Sequence, residues 1–287
     1  MGLWVPTGSG DFCWKVANTD ALRPARGYGT LITASGSANT KGSYATCLSA
    51  LAFDAYGIFI RCSDIFWDAA TATDTLVDVG VDPTGGTSFS VVIPDLYFSG
   101  TSALIHGPGM SYYFPLYIKA GSSIGLRMAS PKTSNTASAQ VRVYGKPRDP
   151  KSVKAGSYVT SFGVTSASST GTAVTAGTTS EGAWTQLGAN TTKDYWWFQF
   201  GAGFSTAGQT ADDIYGFDLG VGDGTNKSIA IQDQITSIGS TGATASAGSE
   251  GQGAYFSKNG NGIYVRAQAS GTPDASLKVA AYALGGG

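Results

Sequence analysis

The chain repeats itself, and that repetition limits its fold more than any other feature. Leu76-Val-Asp-Val-Gly-Val-Asp82 is answered by Phe217-Asp-Leu-Gly-Val-Gly-Asp223, which places Asp78 over Asp218 at an offset of 218 − 78 = 140. Upstream, Asp54-Ala-Tyr-Gly-Ile-Phe-Ile60 lies over Asp194-Tyr-Trp-Trp-Phe-Gln-Phe200 at 194 − 54 = 140. Downstream, Arg127 falls on Arg266 at 266 − 127 = 139, and Val141-Arg-Val-Tyr144 falls on Val279-Ala-Ala-Tyr282 at 279 − 141 = 138. Segments kept in one order at one spacing indicate a duplication, and each copy is the size of one ordinary domain.

The chemistry of each copy is that of an antiparallel β protein. No window carries the i, i+3, i+4, i+7 apolar stripe of a helix, whereas two-residue alternation recurs in Ser88-Phe-Ser-Val-Val-Ile93, Tyr113-Phe-Pro-Leu-Tyr-Ile118 and Ala139-Gln-Val-Arg-Val-Tyr144. Turn chemistry separates these runs, as in Asp82-Pro-Thr-Gly-Gly86, Gly222-Asp-Gly-Thr-Asn226 and Lys258-Asn-Gly-Asn-Gly262. The expected fold is all-β, two tandem antiparallel β-sandwiches of the jelly-roll type. An immunoglobulin-like sandwich is the alternative; it is weaker because neither copy has the Cys, Trp, Cys spacing.

The expected division is an N-terminal arm over 1–26, a first sandwich over 27–147, a linker over 148–153 and a second sandwich over 154–287. Lys146-Pro-Arg-Asp-Pro-Lys151 supplies the proline stiffness and charge of a short semi-rigid spacer. Trp4, Phe12 and Trp14 give the arm apolar area, and Arg23 and Arg26 give it charge, so it reads as an anchor for a partner.

Charged residues are only 13% of the chain against about 25% in an ordinary globular protein. The net charge of −1 provides no field for nucleic acid, and no apolar run is long enough for a membrane helix. The start, Met1-Gly-Leu-Trp-Val-Pro6, lacks the basic and apolar regions of a secretory signal, so synthesis and folding in a cytoplasm are expected. Cys13, Cys47 and Cys62 are odd in number and confined to the first half of the chain, which suits buried thiols rather than a disulfide framework.

Residues for catalysis are scarce. His106 is the one histidine, sits beside Gly107-Pro-Gly109 and has no counterpart in the second copy, and no Gly-x-Ser-x-Gly elbow occurs. No catalytic set, metal set or cofactor is expected. Asp212, Asp213 and Asp223 to Asn226 offer calcium-type oxygens, but they read as turn-forming residues.

Two other groups stand out. With Tyr56, Ile58 and Ile60 alternating onto the core side and Trp196, Phe198 and Phe200 in their places in the second copy, Tyr195 and Trp197 are expected on a face where the first copy has only Ala55 and Gly57. That face suits a subunit contact or sugar stacking. Arg127 and Arg266 lie inside apolar strands, and Asp78 and Asp218 recur in matching register. They are candidate structural ion pairs, Arg127 with Asp78 and Arg266 with Asp218.

The order Val77 to Val81, then Val92-Ile-Pro-Asp-Leu96, Tyr113-Phe-Pro-Leu-Tyr-Ile-Lys-Ala-Gly121, Ile124-Gly-Leu-Arg-Met128 and Val141-Arg-Val-Tyr-Gly145 resembles a repeat of tailed-phage and prophage virion proteins. The resemblance implies a non-enzymatic virion component: a head-decoration or capsid-stabilising protein, or else a tail, collar or fibre appendage that binds host glycan. It also implies self-association as a symmetric oligomer such as a trimer and contact with a major capsid or tail protein; together with the charge and the lack of a secretory signal or a long apolar run, no nucleic-acid partner, no membrane insertion and assembly in the host bacterial cytoplasm are expected.

Overall fold

A computed structural model describes residues 14–16, 29–63, 74–99, 110–145, 154–204, 213–238, 256–273 and 277–286. Its elements are all strands. The first copy supplies β1 (Trp14–Val16), β2 (Thr30–Thr33), β3 (Ala45–Leu48), β4 (Ala55–Ser63), β5 (Thr75–Asp82), β6 (Ser90–Phe98), β7 (Met110–Phe114), β8 (Ser123–Ala129) and β9 (Thr136–Gly145). The second supplies β10 (Tyr158–Phe162), β11 (Thr172–Ala173), β12 (Thr185–Gln186), β13 (Trp197–Phe204), β14 (Asp213–Gly222), β15 (Lys227–Ile238), β16 (Gly262–Ala269) and β17 (Leu277–Gly285).

The duplication extends to the hydrogen-bond ladders. One sheet of the first copy runs β3-β8-β5-β6, and its counterpart runs β12-β16-β14-β15. The facing sheet runs β1-β9-β4-β7, with β2 also paired to β9; in the second copy β10, β11 and β13 gather on β17 in the same way. Isolated bridges match too, Ala55 with Ile118 and Tyr195 with Ser257. All named strand pairs are antiparallel, and the fold is a jelly-roll-like stack of sandwiches. Strand β1 lies along β9 as β10 lies along β17, so this stretch of the N-terminal arm is a strand of the first sandwich. Trp4, Phe12, Arg23 and Arg26 lie outside the described residues, as does the side chain of Trp14.

Each sandwich closes on branched and aromatic side chains that alternate inward. Ile58, Ile60, Val141 and Val143 meet Val77, Val79, Leu126 and Met128 in the first core. In the second, Phe198, Phe200 and Val279 meet Phe217, Leu219 and Val265. The two cores do not stand apart. Strand β17 is buried on both faces: Val279, Ala281 and Ala283 belong to the second core, while Ala280, Tyr282 and Leu284 complete the first.

The β17 sheet covers the side of the first sandwich where β6 and β7 end their sheets. Strands β10 and β13 pack on β6, and the Tyr282 ring meets Tyr112 of β7 edge-on at 5.2 Å. The Tyr282 hydroxyl accepts the Tyr97 N–H at 2.6 Å and donates to Asp95 O at 3.0 Å. The Tyr112 hydroxyl donates to Tyr97 O. Tyrosine hydroxyls thus satisfy backbone groups that an edge strand leaves unpaired. The linker span 148–153 lies outside the described residues, but the flanking chain is tied down: Leu116 and Gly156 form a parallel bridge, with Gly156 N–H to Pro115 O at 2.7 Å.

Glycine marks the closest approaches between the copies. A Cβ at Gly201 would stand 2.0 Å from the Tyr112 hydroxyl, and one at Gly203 would stand 2.3 Å from Ser99 Cβ.

Candidate functional site

The repeated strand, Val77-Asp-Val-Gly80 in one copy and Phe217-Asp-Leu-Gly220 in the other, builds the same side-chain cluster twice, on the outer face of each four-strand sheet. Asp78 of β5 and Arg127 of β8 are direct cross-strand partners, and so are Asp218 of β14 and Arg266 of β16. Arg127 Nε lies 2.9 Å from Asp78 Oδ2; Arg266 approaches Asp218 Oδ2 with Nε at 3.0 Å and a terminal nitrogen at 2.7 Å. A β-bulge explains why a carboxylate belongs at this place. The register slips where β6 faces β5 and where β15 faces β14, and at those slips Asp95 and Asp233 take left-handed φ values of 52° and 50°. Their freed N–H groups donate to Asp78 Oδ1 at 3.0 Å and to Asp218 Oδ1 at 2.8 Å.

An aromatic ring covers each cluster. The Arg127 guanidinium lies 4.7 Å from the Tyr44 ring centroid, and that of Arg266 lies 4.5 Å from Trp184. This placement explains the glycine two residues beyond each aspartate: a Cβ at Gly80 would come within 2.7 Å of Tyr44, and one at Gly220 within 2.9 Å of Trp184. Sequence reasoning found the Asp and Arg positions but missed the rings and the bulge residues. The available signal was Lys41-Gly-Ser-Tyr44 over Glu181-Gly-Ala-Trp184, at 184 − 44 = 140.

The clusters differ at one position. Lys41 Nζ lies 2.7 Å from Asp78 Oδ1, 2.8 Å from Asp95 Oδ1 and 3.1 Å from Leu76 O. In the second copy that position is Glu181, whose carboxylate takes the third nitrogen of Arg266 at 2.5 Å. Burial and the neighbouring Asp218 push the Glu181 carboxyl up. Burial also opposes ionisation of Asp218, but the Asp233 N–H, Arg266 and Glu181 together hold it below the usual carboxylate range. These groups are acceptor-rich and suited to holding a cation. No nucleophile with a poised base stands among them.

The expectation that Tyr195 and Trp197 form an exposed face is corrected. Tyr195 is 1% exposed, sits in the second core and donates its hydroxyl to Thr160 Oγ1 at 2.9 Å. Trp197 is half-buried against the first core, edge-on to Tyr113 at 6.2 Å between centroids. Two causes combine. A bulge between Ala55 and Gly57 shifts the pleat so that Ala55 points inward, and Trp196 N–H likewise bonds to Leu284 O, the residue that Trp197 faces. In addition, the outer face of β13 is the one that meets the first copy. For the same reasons Tyr56 and Trp196, expected in the cores, are only partly buried.

The other candidates hold structural roles. Asp223 accepts backbone N–H groups from Thr225 at 2.7 Å and Asn226 at 2.5 Å, an Asx-turn. Cys47 and Cys62 are free and buried, and burial pushes the Cys47 thiol up to about 12. An open depression of about 600 Å³ beside Lys41 and Tyr44 is lined by Leu31, Thr33 and Ser35. Cys13, His106 and Asp212 lie outside the described residues, and of Asp213 only the backbone is described. Among the described residues no helix is long and apolar enough to cross a membrane.

No protein-family model matches the chain, and no curated protein matches it. Three solved structures align over most of their own length with low similarity. The major capsid protein of Sulfolobus Turreted Icosahedral Virus aligns with 89% of this chain and 96% of its own, at 10% identity and a TM-score of 0.33. The tandem CBM22 domains of Paenibacillus barcinonensis Xyn10C align with 96% of this chain and 90% of their own, at 12% identity and a TM-score of 0.27. The N-glycanase PNGase F aligns with 96% of both chains, at 10% identity and a TM-score of 0.34. At such scores none of the three bears on what this chain does.

Proposed function

We propose that this chain is a non-enzymatic structural protein of a bacteriophage virion, a head-decoration or capsid-stabilising protein that self-associates. The observation that carries this reading is an asymmetry between equivalent edges. Strand β6 of the first sandwich is covered by the second. Its counterpart β15 is, among the described residues, the last strand of its sheet, with Ile229 and Ile235 exposed, Ile235 at 66%, and Ile214 exposed on the neighbouring β14. An apolar sheet edge invites pairing with another chain. The sheet of a second molecule can occupy β15 as the β17 sheet occupies β6. The resemblance of the repeat to tailed-phage virion proteins supplies the setting, and a capsid or tail protein is the further partner.

Analytical ultracentrifugation of the purified chain, with mass spectrometry of purified particles, tests the proposal. The expected result is a concentration-dependent oligomer that Ile235→Lys converts to a folded monomer, and presence of the chain in particles. A wild-type chain that stays monomeric and is absent from particles overturns it. Location at the tail or collar favours the appendage reading, with host glycan as ligand.

A further inference from the structure

The two outer-face clusters share their geometry but not their charge. The correspondence is fixed by the backbone: Gly42 N–H bonds to Met128 O at 2.9 Å, and Gly182 N–H bonds to Ala267 O at 2.8 Å, so Lys41 and Glu181 precede equivalent anchors. In the first copy Asp78 and Asp95 face Lys41 and Arg127, two negative charges against two positive, a sum of zero. In the second copy Glu181, Asp218 and Asp233 face Arg266, three negative charges against one positive, a sum of −2.

What the second cluster lacks is a cation in a seat that the first copy fills. The Lys41 ammonium is clasped by three oxygens, from Leu76, Asp78 and Asp95. Their counterparts are Gly216 O, Asp218 Oδ1 and the Asp233 carboxylate. One carboxylate oxygen from each of Glu181, Asp218 and Asp233 lies within 4.8 Å of the other two. Room has opened at the same time, because Leu76 is replaced by Gly216, where an added Cβ would meet no atom within 4 Å. The first copy is the independent pointer: there the equivalent oxygens hold a positive ion, tethered to the chain as an ammonium group.

We propose that the second copy binds a divalent cation of the calcium class at Glu181, Asp218 and Asp233, in the seat that Lys41 fills in the first copy. One divalent ion restores the neutrality of the first cluster. The donors are carboxylate and carbonyl oxygens in an irregular arrangement on a sheet surface, which suits calcium better than octahedral magnesium and gives zinc no nitrogen or sulfur. Arg266 occupies Asp218 Oδ2 and Glu181 Oε2, and Asp218 Oδ1 takes the Asp233 N–H; in the first copy Asp78 Oδ1 takes the Asp95 N–H and holds Lys41 as well, so that bond leaves the oxygen able to hold a cation.

The test uses the full chain after treatment with chelator. Calcium chloride is titrated while Tm is recorded, and terbium is titrated while its luminescence is excited through tryptophan, Trp184 being the nearby sensitiser. The expected result is a saturable rise in Tm with calcium, a much weaker response to magnesium, and a terbium signal that calcium displaces. Glu181→Lys, which reproduces the first copy, is expected to fold, to match or exceed the metal-free wild type in Tm, and to lose both responses. Asp233→Asn is expected to weaken both. The proposal is overturned if the wild type does not respond to calcium, if Glu181→Lys keeps its response, or if acid alone raises Tm where calcium does not. That last outcome would mean that a proton on Glu181 relieves the repulsion.

Discussion

At the scale of single residues, Asp74 is a carboxylate whose surroundings oppose its charge. It is buried, accepts the Tyr97 hydroxyl at 2.8 Å and that of Thr170, and burial pushes its pKa from 3.8 to about 7. The unfolded chain releases this proton near pH 4 and the folded chain near pH 7. Between these values the folded state holds more protons, so stability falls as pH rises, by about 4 kcal/mol in all. Urea unfolding of wild type and Asp74→Asn across that window should give a difference that grows with pH and levels off above about 7. A constant difference would refute the assignment. Asp74 could not be singled out from the sequence, because its partner Thr170 is 96 positions away. Asp78 with Arg127 could, because cross-strand partners recur at one offset. The charge swap at Lys41 and Glu181 was missed because both residues lie outside the segments that carry the repeat most plainly.

At the scale of strands, the structure turns on how edges are finished. Tyr282 serves β6 as donor and acceptor from another sheet, so Tyr282→Phe leaves Tyr97 N–H and Asp95 O without their partner. It should cost about 1–3 kcal/mol in denaturant unfolding. A loss below about 0.5 kcal/mol would mean that the hydroxyl does not complete the edge. The period-two pattern revealed β4 and β13, and it gave correct inward positions for Ile58, Ile60, Phe198 and Phe200. It failed at Tyr56, Tyr195 and Trp196 because a one-residue bulge inverts the pleat without altering the composition that a pattern detects. Trp197 was correctly turned away from its own core, but what it meets depends on how two sheets stack, which no local pattern records.

At the scale of the whole molecule, the copies are joined by a shared layer, the β17 sheet, buried on both faces. Denaturant unfolding should therefore follow one transition by tryptophan fluorescence and by circular dichroism. Two separate transitions would show that the sandwiches are independent. The repeat, the strand types and the all-β class were legible in the sequence because each is written in local alternation and spacing. The way the second sandwich closes the first was not, since it rests on Gly201, Gly203 and Tyr282, residues unremarkable in isolation. Among the described residues β15 has no strand beyond it, and the central claim is that this edge builds an assembly on a virion. Cryo-electron microscopy of intact particles from a producing culture tests it most directly. The account predicts repeated density for a pair of stacked sandwiches on the particle, with β15 of one molecule against a sheet of the next. Particles without that density, or with molecules whose β15 edge faces only solvent, would contradict it.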